Sequence, residues 1–126
     1  MEISDMMVSD LAQLGTLVDA VHDLWFDVDA LKGSFSEGVV TIPLYGRPNA
    51  LSRKQLPIAT LVIKHVDSLV VEDTEHVGYY DIDQIRFDPV GKTLTIIGCI
   101  PVVVRLHVAK LNVELHANRE ENSIRA

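Results

Sequence analysis

Four aspartates fall into two matched pairs, Asp27 with Asp29 and Asp81 with Asp83, each interleaved with apolar residues. On a β-strand, residues two apart share a face, so each pair could present two carboxylates to a hard divalent cation. His65 and His107 occupy matching places in a longer internal similarity and could add imidazoles to such a site, or meet near a symmetry axis and sense pH. The chemistry of that set would be metal-assisted hydrolysis. A plainer account is that aspartates beside aromatic residues mark strand starts and turns, and that equivalent histidines fill one structural niche twice. A D-x-D by itself is a weak motif.

Other chemistries find less support. Gly-x-Ser-x-Gly is absent, and Gly33-Ser34-Phe35-Ser36-Glu37-Gly38 reads as turn chemistry over a hairpin. Neither H-x-x-x-H nor H-E-x-x-H occurs, and no glycine loop suited to phosphate is visible. Cys99, the only cysteine, lies in the apolar run Ile96-Ile97-Gly98-Cys99-Ile100 and is expected to be buried and inert. His22 and Asp23 are adjacent, and neighbours on a helix point about 100° apart, so no direct pair is expected between them. One segment stands out by charge. Tyr45-Gly46-Arg47-Pro48-Asn49, followed by Arg53-Lys54-Gln55, gathers three cations in an acidic chain. Tyr45, Arg47, Arg53 and Lys54 are the expected contacts for an anionic small molecule or an acidic protein surface, unless the segment is a solvated connection.

These residues must be held by a chain of 126 residues, 48% hydrophobic and 23% charged, with net charge −7. The length predicts one domain, residues 1–126, able to bury a core without staples. Net negative charge without a basic run disfavours nucleic acid and anionic membrane as partners. A lone cysteine, the lack of a secretory leader and apolar runs too short to span a bilayer predict a cytoplasmic protein. No cofactor is called for.

Met7, Leu11, Leu14, Val18, Val21 and Trp25 form one apolar stripe, which predicts a helix at about residues 9–24, opened by Ser9 and Asp10. The stripe is expected to lie on the protein's own sheet or to pair with its copy in a second subunit. Behind it, Phe26-Asp27-Val28-Asp29-Ala30-Leu31 resembles Tyr80-Asp81-Ile82-Asp83-Gln84-Ile85, and Val62 to Glu72 resembles Val104 to Glu114. Two related halves follow, about 25–73 and 79–116, with a flexible tail at 117–126. Each half is expected to open with a hairpin: Leu31 and Phe35 facing Val40 and Ile42 in the first, Ile85 and Phe87 facing Leu94 and Ile96 in the second.

The parity of the apolar residues changes near Val108-Ala109, and in the first half from Val62 and Val66 to Leu69 and Val71. One residue of slip exchanges sheet faces, so a bulge or sharp bend is expected there, and a long strand that bends mid-way serves two sheets or turns a barrel corner. The expected fold is mainly β with one N-terminal helix. It is a small antiparallel sandwich or partly open barrel of two pseudo-symmetric halves, with the helix packed on the sheet. Two functions are expected from different classes. The first is a non-enzymatic binding or homo-oligomeric assembly module, most simply a homodimer. The second is a small metal-dependent hydrolase using the paired aspartates with His65 or His107.

Overall fold

The computed structural model describes residues 3–46 and 56–118. In chain order the elements are β1 (Met6–Val8), α1 (Leu11–Val21), β2 (Trp25–Asp27), α2 (Val28–Ser34), β3 (Val40–Leu44) and β4 (Ala59–Ile63). There follow β5 (Val66–Glu72), β6 (Tyr79–Asp81), β7 (Gln84–Asp88), β8 (Thr93–Ile97), β9 (Val103–Val108) and β10 (Val113–Ala117). The fold is mainly β, with antiparallel sheets in an open sandwich. One sheet has the order β1-β10-β4-β3, a second the order β5-β9-β8-β7, and β2 pairs with β6 in a short ribbon. Side chains from both large sheets, the ribbon and the two helices belong to one buried core.

The chain passes from one sheet to the other at two corners, between β4 and β5 and between β9 and β10. β9 buries Val104, Leu106 and Val108, while β10, in the other sheet, buries Val113 and Leu115. The corner joins the two crossing strands by backbone bonds: Lys64 N–H to Asn112 C=O at 3.0 Å and Ala109 N–H to His65 C=O at 2.9 Å. The first half bends differently from expectation. Ala59, Leu61 and Ile63 face inward on β4, and Val62 is only half-buried. Parity slips once at the Lys64-His65 corner, which puts Val66 inside, and again at a bulge between Val66 and Ser68. His65 takes φ 59 at this corner, Glu37 φ 50 and Gly38 φ 77 in the turn before β3, and Lys92 φ 50 in the turn between β7 and β8.

The helix at the start is shorter than predicted because Asp10, not Ser9, caps it. Its carboxylate accepts the Gln13 N–H at 2.9 Å, while the Gln13 side chain accepts the Ser9 N–H at 2.8 Å. Leu14, Leu17 and Val21 are buried, so the stripe lies on the protein's own sheets, while Leu11 stays exposed. The chain leaves the helix at His22, and Asp23 has φ 70.

A second helix stands where the first hairpin strand was expected. Asp27 accepts the N–H groups of Asp29 and Ala30, and the acidic Asp29 and basic Lys32 lie at the ends that the helix dipole favours. Ala30, Leu31 and Lys32 are good helix formers, whereas their counterparts Gln84, Ile85 and Arg86 include a β-branched residue and enter β7. The tight turn itself is where expected: Ser36 and Val39 exchange backbone hydrogen bonds, and positive φ at both central residues makes it the mirror-image turn suited to hairpins. Leu31 is still buried against the core, reached from a helix instead of a strand.

Candidate functional site

The ribbon of β2 and β6 holds two of the residues singled out by type, Asp27 and Asp81. Its register sets Trp25 opposite Asp81, Phe26 opposite Tyr80 and Asp27 opposite Tyr79. Directly opposed residues share a face, so Phe26 and Tyr80 point inward together, with ring centroids 6.2 Å apart. Trp25, Asp27, Tyr79 and Asp81 lie on the other face. Tyr45, just past β3, exchanges two backbone hydrogen bonds of 2.8 Å with Trp25, which brings its side chain to that outer face as well. The Tyr45 and Tyr79 rings meet edge to face, with centroids 6.4 Å apart. The chain's single tryptophan and two of its three tyrosines therefore converge on one outward surface. Burial, then the neighbouring Tyr79 and Asp27, push the Tyr45 hydroxyl above its ordinary pKa. The predicted binding residues Arg47, Arg53 and Lys54 lie outside the described residues, and only Tyr45 of that set is placed. The described surface around Tyr45 is aromatic and bordered by the Asp27 carboxylate, a setting that attracts cations through ring faces and charge alike.

The four aspartates separate into different roles. Asp27 caps α2 and Asp29 lies in its first turn, so this pair straddles a strand-to-helix junction and does not share a strand face. Asp81 is buried at the far end of the ribbon, where its carboxylate accepts the Ile100 N–H at 3.4 Å. Asp83 lies 3.5 Å from His22 Nε2, and His22 Nδ1 lies 3.3 Å from Asp23. The adjacent His22 and Asp23 thus do meet, because the helix has ended and the left-handed turn at Asp23 swings both side chains together. His65 occupies the corner before β5, whereas His107 on β9 pairs with Asp67 at 3.2 Å. Among the described residues, no three His, Cys, Asp or Glu side chains are arranged to hold a metal ion.

Cys99 is exposed, not buried. β8 stops at Ile97, and Gly98 turns the chain so closely that a Cβ there would lie 2.8 Å from the carbonyl oxygens of Asp81 and Ile100. The turn sets the thiol against carboxylates. A hydrogen bond to Asp81, then burial of the sulfur and the charges of Asp81 and Asp83, push its pKa up to about 11. A nucleophilic cysteine needs the opposite surroundings, a cation or helix N-terminus that favours thiolate.

A third cluster, which the sequence reading missed, lies in the loop before β6. The buried Tyr80 hydroxyl donates to the Asp73 carboxylate, and Asp73 also accepts the His76 N–H at 3.0 Å. The tyrosine bond, more than the backbone bond, holds the Asp73 carboxyl below its usual range. This cluster ties the loop down from inside; the only hint in sequence is an aspartate seven residues ahead of a tyrosine, which is not specific.

No family model, curated protein or solved structure matches the chain. No helix among the described residues is long and apolar enough to cross a membrane.

Proposed function

We propose that this chain is a non-enzymatic binding and self-assembly module that works as a homodimer. The observation that carries the reading is the placement of its exposed apolar side chains. Met7 on the edge strand β1 is 65% exposed, Leu11 at the start of α1 52%, and Val70 on the edge strand β5 54%. Large apolar groups left at open sheet edges favour association, by covering apolar area and by pairing unpaired backbone groups.

The likeness between the two halves supports the same reading. Exchanging β3 with β8, β4 with β9 and β5 with β10 turns the order β3-β4-β10 of one sheet into the order β8-β9-β5 of the other. The same exchange leaves the β2–β6 ribbon in place, with the matched residues Phe26 and Tyr80 directly opposite each other. An antiparallel pair centred on equivalent residues is the arrangement a twofold axis produces. A chain built by fusing two such copies comes from an ancestor that already associated with itself.

The test is sedimentation of the purified chain over a wide concentration range. A dimer that dissociates on dilution is the expected result, and a monomer at every accessible concentration overturns the reading.

A further inference from the structure

We infer that the outer edge of β5 is the dimer seam, joined to β5 of a second copy in an antiparallel pair centred on Val70; this rests on the assembly reading above. The argument starts from a contrast between two strands in corresponding positions. β10 and β5 each stand third in the orders β3-β4-β10 and β8-β9-β5. β10 has its outer edge covered by β1, with Val8 opposite Val113 and Met6 opposite Leu115, and its inward residues Val113 and Leu115 are 1% and 0% exposed. Among the described residues no strand covers the outer edge of β5, and its inward residues Leu69 and Val71 are only half-buried. The second sheet is one strand short where the first is closed.

The residues of β5 select both the occupant and the register. The bulge at Asp67 ends regular pairing on one side, leaving Ser68 to Glu72 as a straight segment. In an antiparallel pair, opposed residues share a face, so inward residues must meet inward residues. A pair centred on Val70 sets Leu69 against the partner's Val71 on the inner face and Val70 against the partner's Val70 on the outer face. Ser68 then meets the partner's Glu72, whose charge is already held by Arg105 in its own chain. Asp67 would meet the partner's Asp73 only at the ends of the pair, beyond the straight segment, and there the Asp67 carboxylate faces His107 while Asp73 turns to Tyr80. A pair centred on Leu69 instead sets Asp67 against the partner's Val71, which buries a charge against an aliphatic chain. The same strand of a second copy therefore supplies the apolar inner face that β5 lacks, at a register without like charges in its central part. Two sheets joined in this way form one eight-stranded antiparallel sheet across the dimer.

The test uses the full chain with Cys99→Ser, so that no native thiol interferes. Val70→Cys in that background is expected to form an intersubunit disulfide on mild oxidation, whereas Ser68→Cys alone is not, because its partner position is Glu72. Val70→Lys, which sets two like charges face to face at an exposed position, is expected to weaken dimerisation at least tenfold in sedimentation while leaving the far-UV circular dichroism unchanged. A dimer that persists unchanged in Val70→Lys, with no crosslink in Val70→Cys, overturns the β5 seam and leaves the assembly reading standing. A chain that is monomeric throughout overturns both.

Discussion

Cys99 shows how far accessibility and reactivity can part at one residue. It is exposed, yet Asp81 and Asp83 hold its thiol protonated, with a pKa of about 11 against 9.0 for an ordinary cysteine. A rise of two units lowers the thiolate fraction at pH 8 roughly a hundredfold. Alkylation by iodoacetamide at pH 8 is therefore expected to run far slower than for a small-molecule thiol. Asp83→Asn is expected to speed it, since it removes one of the two charges and leaves the buried Asp81 in place. A native rate equal to that of free cysteine contradicts this account of the turn. The run from Ile96 to Ile100 reads as continuous strand, and only the close approach at Gly98, which depends on the distant β6, interrupts it.

At the scale of elements, the rung on the outer face of the β10 sheet carries a pH dependence of definite sign. Glu114 on β10 bonds to Lys64 at 2.6 Å and to His116 at 2.9 Å, and these two, Lys64 first, hold its carboxyl below the usual carboxylate range. A carboxylate depressed in the folded state stabilises the fold fully above its unfolded pKa of about 4.3, and that contribution is lost as pH falls through the folded value. Glu114→Gln is thus expected to lower the urea midpoint at pH 7, and its effect is expected to shrink as pH falls below about 4.3 and to vanish only below the depressed folded value, where the native side chain is itself protonated. A difference between native and variant that stays constant down to pH 3 contradicts the rung. Elements also mark the limit of what was legible. The second half's hairpin could be read from Ile85, Phe87, Leu94 and Ile96 because β-formers alternate there around a plain turn. The matching segment of the first half was read as a strand by analogy, whereas Asp27 as a cap, followed by Ala30, Leu31 and Lys32, makes a helix. Local capping chemistry outweighed the similarity between segments. The paired aspartates do not lie on shared strand faces, which need both residues of a pair in a strand: Asp27 caps α2 with Asp29 in its first turn, and of the second pair only Asp81 lies in a strand.

Across the whole molecule, the mainly antiparallel architecture followed from the hairpin turns and the alternating apolar residues, and the corners from apolar parity, since a one-residue slip calls for a bulge or a sharp bend. What parity could not supply was sheet order, which depends on pairings far apart in sequence, such as β1 on β10 and β5 on β9. The aromatic surface of Trp25, Tyr45 and Tyr79 was hidden for that reason, as its members come from three separate strands or strand ends.

The corners where strands change direction carry a further consequence. His65 and Lys92 hold left-handed backbone with full side chains, a conformation that costs an L-residue about 1 kcal/mol and glycine almost nothing. His65→Gly and Lys92→Gly are each expected to raise the melting temperature by a few degrees, and a loss of thermal tolerance in both would mean that the side chains, not the bends, set the native margin.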